Sequence, residues 1–227
     1  DASLGLNFAG VNYYDGQGFM VKSSLGVSSA MELSGAAVCI QAGTTTELNL
    51  ADWGKANGID YNSVVSDTNA QTLTNYDSGR CDVLTTDASG LYSMRAAAND
   101  PSEHVVLPEI ISKEPLGPVV RQGDDQWFNI VRWSLNAMIT AEELGVTSAT
   151  VDDVSNNPER ERLMGRSGST HEYVGLTPDW TYQIVKQVGN YSESFERNIG
   201  LNTPIGIARG VNALWTDGGI LYSPPFR

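Results

Sequence analysis

The chain has 227 residues, of which 41% are hydrophobic and 18% charged, so it has enough apolar side chains for a packed core and too few charges for a disordered polypeptide. Its formal net charge of -13 argues against nucleic acid or an anionic membrane surface as a partner. This length fits one large domain or two small lobes. No hydrophobic run approaches the length of a membrane span, and no signal peptide is present, so we expect any export signal to have been removed or to lie upstream of Asp1.

Short apolar runs alternate with helical patterns in the first half of the chain. We predict strands at residues 19–21, 37–41, 61–65, from Cys81 onward, and at 104–107. We predict helices at residues 44–57, between a cap at Asp67 and a stop at Gly79, and at 89–98, with one helical turn within 28–33. This alternation is typical of a small parallel sheet with helices on both faces.

Helical patterns dominate the second half, after a return strand or hinge at residues 115–120. The longest predicted helix begins at Asp124, ends at Gly145 and has one apolar face, formed by Trp127, Phe128, Val131, Leu135 and Met138. Further helical pieces are predicted at residues 147–154, 158–164, 178–188, 192–199 and 205–215. Only residues 4–14 remain as a sheet strand for these helices, although an α/β layer needs both kinds of element. A part of the sheet is therefore missing from this half.

The run that ends in Gly43-Thr44-Thr45 predicts an anion site. A buried strand leads into a glycine turn, and hydroxyl residues open the helix that follows. The first N–H groups of a helix have no partner inside the helix, and its dipole adds about half a positive charge there. Because no lysine lies next to the turn, we interpret this as a site for a carboxylate rather than for a triphosphate.

A second strand, which begins at Cys81 and ends at Asp87, has the same spacing as the first. Cys39 lies six residues before Thr45, and Cys81 lies six residues before Asp87. If the two strands are parallel neighbours in register, Cys39 and Cys81 lie close enough for a disulfide bond. A free buried pair of cysteines is the alternative. The matched spacing favours the disulfide bond and an oxidising compartment.

The same arrangement brings Thr45 and Asp87 together at the carboxyl ends of the strands, where open α/β sheets bind ligands. Thr45 would hold an α-carboxylate and Asp87 an α-ammonium group, which together are the two charged groups of a free amino acid. Thr86 is a further candidate, although side-chain alternation sends only one of Thr85 and Thr86 to the side of Asp87. Glu47, in the first turn of the helix, more often stabilises the helix dipole than contacts a ligand.

Several motifs together resemble the polar amino-acid family of periplasmic solute-binding proteins of ABC transporters, in particular the general L-amino-acid-binding branch. They are Gly-Thr-Thr at 43–45, Gly-Arg-Cys-Asp-Val at 79–83, Thr-Thr-Asp at 85–87, Pro-Glu-Ile-Ile-Ser-Lys-Glu-Pro-Leu-Gly-Pro at 108–118, Gly-Asn-Tyr-Ser-Glu-Ser-Phe-Glu-Arg-Asn at 189–198 and Arg-Gly-Val-Asn-Ala-Leu-Trp at 209–215. The Gly-Thr-Thr turn alone is weak, but the set is specific and covers essentially the whole chain.

The resemblance implies a periplasmic-binding-protein fold of type II, with two α/β lobes, a hinge and a ligand in the cleft. Residues 22–116 would form one complete parallel-sheet lobe, residues 1–21 a remnant of the other lobe with a hinge strand, and residues 117–227 the hinge return and the incomplete helical remainder. It also implies the Cys39–Cys81 disulfide bond, a periplasmic location, a free L-amino acid as ligand and a membrane permease as partner. Hinge closure would present the loaded form to the permease.

The chain departs from the family because members have a long N-terminal stretch before the equivalent of Leu4. That stretch supplies most of one sheet and an arginine that binds the ligand carboxylate. Either this chain is the C-terminal part of a longer protein, or it is a variant that covers its exposed helix faces in a homo-oligomer. We favour the first explanation, and we expect weak or no ligand binding by this chain alone.

Two other function classes stay open. A dehydratase-like enzyme on the same fold would need an acid or base in the cleft, for which Asp87 and Glu47 are the candidates. The second of these classes is a binding-protein module that has lost ligand binding and acts through oligomerisation. The sequence indicates no cofactor, and His104 and His171 are too far apart in sequence to suggest a metal site. We therefore expect a binding protein rather than an enzyme.

Overall fold

The computed structural model describes residues 2–227 and divides into two compact units. The sheet unit comprises Tyr14–Pro115, and the helical unit comprises the chain up to Tyr13 together with Leu116–Arg227. The sheet unit begins earlier than residue 22, because the strand Gln17–Lys22 is part of its five-stranded sheet.

Nine strands are present in the described residues: β1 Leu6–Phe8, β2 Tyr13–Asp15, β3 Gln17–Lys22, β4 Ala37–Gln41, β5 Asn62–Ser66, β6 Val83–Asp87, β7 His104–Val106, β8 Glu114–Leu116 and β9 Val119–Arg121. Seven α-helices are present in the same part of the chain: α1 Thr45–Asn57, α2 Asn69–Asp77, α3 Ala88–Ala97, α4 Asp125–Glu143, α5 Pro158–Leu163, α6 Trp180–Val188 and α7 Tyr191–Asn198. None of these helices is both long and apolar enough to cross a bilayer.

The sheet unit is built on one sheet with the strand order β5-β4-β6-β3-β7. β4 runs parallel to β5 and β6, whereas β3 runs antiparallel to its neighbours β6 and β7. The expectation of a parallel sheet is therefore correct for four strands and wrong for β3. The chain enters the sheet at the edge where β6 ends, since Gln17 pairs with Asp87, and from there β3 can only run back across the sheet.

Helices cover both faces of this sheet, as predicted. On one face, Leu50 of α1 packs in a buried cluster with Phe19. On the other face, Tyr76 of α2 and Leu91 of α3 pack in a second cluster with Met20. Neighbouring residues of β3 are thus buried on opposite faces, and complete burial of each such side chain contributes about 1.5–3 kcal/mol.

The predicted Cys39–Cys81 disulfide bond is present, with a Cα–Cα distance of 5.7 Å. The predicted register is wrong, however, because Cys39 lies opposite Leu84 in the parallel pair of β4 and β6. Asp82 accounts for the offset: its backbone N–H donates to the Ala37 carbonyl at 2.8 Å, and its carboxylate accepts from the Ala37 N–H at 2.9 Å. The chain bends there, and Cys81 lies against Cys39 before β6 begins.

The ends of two helices of the sheet unit can be compared with the predictions. α1 ends at Asn57 and is capped by Gly58, which adopts the left-handed conformation with φ 67°, as the Asn57-Gly58 pair indicates. α2 is capped by Thr68 instead of Asp67, because the Thr68 hydroxyl accepts from the Gln71 N–H at 3.2 Å. Thr68 directly precedes the first helical residue and so has the better position for a cap.

The helical unit has its core between α4, α5 and α6. Ala137 and Ala141 of α4 are fully buried there with Leu163 and Val185. The predicted apolar face of α4 is therefore not the face that packs in this core: Trp127 is 52% exposed, and the other four predicted residues are half-buried. Small side chains allow helices to approach closely, which explains why alanines rather than the larger residues occupy the contact.

The predicted helix at residues 205–215 is wrong, since only a 3₁₀ turn, Gly210–Asn212, forms there. Arg209 holds this segment instead. Its Nη2 donates to the Glu142 carboxylate at 2.9 Å, and its Nε donates to the Asn212 carbonyl at 2.9 Å. The guanidinium also lies 5.1 Å from the centre of the Tyr191 ring and 5.2 Å from that of Phe195. Residues 147–154 form successive turns rather than a helix.

Candidate functional site

Three strands of the sheet unit meet at one edge of the sheet. β4 and β6 are parallel neighbours, so their carboxyl ends, Gln41 and Asp87, lie at the same edge. β3 is antiparallel to β6 and begins at this edge with Gln17. The turn that leads from β4 into α1 and the start of α3 after β6 lie here as well. This is the kind of sheet edge at which open α/β sheets bind ligands.

The N-terminus of α1 supplies the donors at this edge. Thr45 is the first residue of the helix and is exposed. Within the described residues, its hydroxyl has no hydrogen-bond partner, and the N–H groups of Thr45 and Thr46 have no acceptor. These groups point to an anion site, because unpaired helix N–H groups and the helix dipole both favour negative charge.

Two of the predicted donors are already used by the protein. The Thr44 hydroxyl donates to the Gln41 carbonyl at 2.9 Å, and so it does not cap the helix. The Gly43 N–H donates to the Glu47 carboxylate at 3.1 Å, which places Glu47 in the dipole-stabilising role expected for it. Gly43 has φ 66°, a conformation in which glycine is preferred. Thr45 is thus the predicted residue whose donors are open.

Asp87 supplies a carboxylate at the same edge. It occupies the N-cap position of α3, but its side chain makes no capping hydrogen bond. The structure describes no other hydrogen bond to this carboxylate, which is half-buried. Burial raises the pKa of the Asp87 carboxyl above its ordinary value, and the charges of Asp15 and Glu114 raise it further. A partly buried carboxylate of this kind is stabilised by a cation.

The two threonines before Asp87 have different environments. Thr85 is buried, donates to the Gly18 carbonyl at 2.7 Å and accepts from Gln17 Nε2 at 2.9 Å. The Thr86 methyl group lies near Gly90 in the first turn of α3. If Gly90 had a Cβ atom, that atom would be 3.4 Å from the methyl group. Alternation along β6 therefore places Thr85, and not Thr86, on the side of Asp87.

Two further carboxylates beside Asp87 were not predicted as site residues. Asp15, of β2, accepts hydrogen bonds from the Gly16 N–H at 2.9 Å and from the Ser89 N–H and hydroxyl. Glu114, of β8, accepts from the Ser112 hydroxyl at 2.8 Å and from Asn49 Nδ2 at 3.2 Å. Nothing local in the sequence indicates Glu114. Only the pairing of distant segments brings these groups to Asp87.

Two features bear on other functions. No group of three histidine, cysteine, aspartate or glutamate side chains in residues 2–227 has a metal-binding arrangement. Both cysteines are in the disulfide bond, so the described chain contains no free thiol. The groups without described partners at this edge are the donors at the start of α1 and the carboxylate of Asp87.

No protein-family model matches the chain. It is 58% identical over 231 residues to the general L-amino acid-binding periplasmic protein AapJ of Rhizobium johnstonii, in a match that covers 100% of this chain and 68% of AapJ. It is 54% identical over 230 residues to the glutamate/glutamine/aspartate/asparagine-binding protein BztA of Rhodobacter capsulatus, covering 100% of this chain and 68% of BztA.

A solved structure is similar over the whole chain. It is an ABC transporter periplasmic binding protein from Brucella ovis with glutathione bound, and its TM-score is 0.93 at 54% sequence identity. The match covers 100% of this chain and 73% of that one. The homo-oligomer that we considered from the sequence has no support in these comparisons.

Proposed function

The chain belongs to the periplasmic amino-acid-binding proteins of ABC transporters, and on that premise we propose that it binds a free L-amino acid by its α-carboxylate and α-ammonium groups. AapJ and BztA are binding proteins by name, and AapJ is a periplasmic one. This chain would likewise act in the periplasm, with the membrane permease of an ABC transporter as its partner. The observation that carries the proposal is the half-buried carboxylate of Asp87, which has no hydrogen-bond partner in the described chain, at the same sheet edge as the open N-terminus of α1.

The carboxylate of the ligand would bind at α1. The Thr45 hydroxyl and the N–H groups of Thr45 and Thr46 are donors without acceptors in the described structure. Hydrogen bonds to a charged group contribute about 1.5–3 kcal/mol each, so two or three of them account for a substantial part of the affinity. Gly43 and Thr44 would shape this turn, while a direct contact from Thr86 stays a prediction.

The ammonium group of the ligand would bind at Asp87. An α-ammonium group has three N–H donors, and the Asp87 carboxylate has two acceptor oxygens that no described protein group uses. Since burial and two neighbouring carboxylates disfavour the ionised form of Asp87, a bound cation relieves an unfavourable charge instead of replacing an existing ion pair. The site would therefore favour amino acids over acids that lack the amino group.

A peptide with a γ-glutamyl group is the second candidate ligand, because the similar structure from Brucella ovis has glutathione bound. Glutathione carries one free α-ammonium and one free α-carboxylate group on its γ-glutamyl residue. These are the same two groups that a free amino acid offers. Both ligands would use Thr45 and Asp87 in the same way, and they differ only in what lies beyond the amino-acid end.

Isothermal titration calorimetry of the purified chain with the twenty L-amino acids and glutathione tests the proposal. Titrations should extend to millimolar ligand, and each should be paired with the matching compound that lacks the α-amino group. In line with the weak binding expected of this chain alone, we expect low-affinity but saturable binding of one or more amino acids and at least tenfold weaker binding of the deaminated compound. Glutathione that binds more tightly than any free amino acid would favour the second candidate. The proposal is wrong if no compound binds or if the deaminated compounds bind equally well.

A further inference from the structure

Asp15, Asp87 and Glu114 form a group of three carboxylates, here called the carboxylate triad. Each comes from a different strand, β2, β6 or β8, and Asp15 and Glu114 are the two charges that act on Asp87. Their hydrogen bonds differ. Asp15 and Glu114 each accept from at least two donors of the protein, whereas Asp87 accepts from none that the structure describes. Two members of the triad are thus fixed in place, and the third is open.

Gln17 is a second, independent feature of the same place. Its side chain is completely buried, yet its Oε1 has no hydrogen-bond partner among the described residues. Gln17 is paired with Asp87 across β3 and β6, so the two side chains lie side by side on one face of the sheet. Its N–H donates to the Ser112 hydroxyl at 3.0 Å, which in turn donates to Glu114. Gln17 is thus linked to Glu114 through Ser112 and is the strand partner of Asp87, and its Oε1 is a buried acceptor without a described partner.

None of the ion pairs that the structure describes involves the triad. The four ion pairs that the structure describes all lie in the helical unit. The unused acceptor of Gln17 and the three carboxylates both require hydrogen-bond donors or positive charge. A hydroxyl group of a ligand could donate a hydrogen bond to one acceptor but would leave the negative charge in place. A protonated amino group of a ligand would both donate hydrogen bonds and balance the charge.

We propose that Asp15 and Glu114 are specificity-determining residues, which make this edge of the sheet select ligands with a protonated amino group over the same ligands with a hydroxyl group. The inference rests on the proposed function, in which Asp87 itself contacts the ammonium group. Asp15 and Glu114 act through their charge without replacing that contact. The backbone N–H of Gln17 positions Glu114 through the Ser112 hydroxyl, and the Gln17 side chain, on the strand position opposite Asp87, has a buried Oε1 without a described partner.

The test compares two pairs of probes by calorimetry: L-alanine with L-lactate, and L-leucine with L-2-hydroxy-4-methylpentanoate. The measured quantity in each pair is the dissociation constant of the hydroxy acid divided by that of the amino acid. In Asp15→Asn and in Glu114→Gln, we expect this ratio to fall roughly fivefold, because each substitution removes one negative charge near the ammonium group. Asp60→Asn is the matched control, since Asp60 is an exposed acid of the same unit with no side-chain contact to the triad. Its ratio should equal that of the unmodified chain.

A wild-type measurement keeps the test independent of how the variants fold. The same ratio should fall in the unmodified chain as salt is raised from about 0.02 M to about 0.5 M, since ions screen a charge-based preference. A ratio that changes neither with salt nor in the folded variants overturns the proposal, while amino-acid binding itself would leave the proposed function standing. If the unmodified chain binds no probe of either pair, the proposed function fails and this inference fails with it.

Discussion

The two units of the molecule use charged side chains in opposite ways. In the helical unit the four described ion pairs are formed inside the unit, and the Arg209–Glu142 pair is the least exposed of them, with side chains 16% and 12% exposed. In the sheet unit, Asp15, Asp87 and Glu114 lie close together without a described cation. Charges in the helical unit are therefore paired within the unit, whereas those at the sheet edge lack a described cation and disfavour the ionised form of Asp87.

The sheet unit has other means of stability. Its strands are buried on two faces, and the Cys39–Cys81 disulfide bond closes a loop with a sequence separation of 42. A ligand site needs groups left without partners, and the surrounding structure has to be stable enough to hold them.

The largest effect is expected from the double substitution of Cys39→Ala and Cys81→Ala. Opening a loop of this size should lower the free energy of unfolding of the sheet unit by about 4 kcal/mol in the chain-entropy model. Hydrogen exchange followed by mass spectrometry, with increasing urea, reports the two units separately. Amides of the sheet unit should exchange faster, while those of the helical unit should not change. Wild-type protein treated with a reductant is the control, and equal loss of protection in both units would contradict the comparison.

The next effect is expected from Arg209→Ala in the helical unit. The substitution leaves the Glu142 carboxylate mostly buried without its cation and removes the guanidinium from the rings of Tyr191 and Phe195. We expect a loss of roughly 3 kcal/mol, measured by urea denaturation. Lys186→Ala is the matched control, because the Lys186–Asp152 pair is about half-exposed and its loss should not shift the unfolding midpoint measurably. Similar effects of the two variants would show that burial of the pair is unimportant.

A smaller change in free energy than in the two preceding predictions is expected for ligand binding as the pH is varied. The pKa of Asp87 is raised, so its carboxyl gains a proton at a higher pH than an ordinary aspartate does. Ligand affinity should fall by roughly tenfold as the pH is lowered through that pKa, because the charge that holds the ammonium group is lost. The contribution of Asp87 to the stability of the fold has the opposite sign: it is present at low pH and is lost as the pH rises through the same pKa.

Calorimetry of L-alanine binding and thermal unfolding, both measured across this pH range, test whether affinity falls and the Asp87 contribution to stability rises as the pH is lowered. In Asp87→Asn the fall in affinity should disappear, and the pH dependence of stability should lose only the part that Asp87 contributes. If the difference between the unmodified chain and Asp87→Asn showed affinity and stability falling together as the pH was lowered, Asp87 would be stabilised by partners in the folded protein and would not be an open site.

Local sequence patterns were sufficient for most of the sheet unit. The apolar run before Gly43 predicts β4, the hydroxyl residues after it predict the start of α1, and Asn57-Gly58 predicts its end. The matched spacing of the cysteines led to the correct disulfide bond even though the register behind it was wrong. Asp82 bends the chain by hydrogen bonds to Ala37, a partner distant in sequence, and no local pattern predicts such a contact.

What could not be predicted depends on contacts between distant segments. The direction of β3 follows from where the chain enters the sheet, and its residues alone do not indicate it. Glu114 joins the site because β8 brings it beside Asp87, although the two residues lie on separate strands. For α4, the periodicity correctly gave a helix but not its packed face, because Ala137 and Ala141 count little in an apolar pattern yet allow the closest helix packing.

The most direct test of the central claim is a calorimetric titration of L-alanine into the unmodified chain and into Asp87→Asn, with Asp60→Asn as the control. An asparagine keeps the shape of the side chain but removes the charge that would bind the ammonium group. We expect Asp87→Asn to weaken binding by about tenfold to a hundredfold without lowering the unfolding temperature, and Asp60→Asn to bind as the unmodified chain does. Equal affinities of Asp87→Asn and the unmodified chain would contradict the claim.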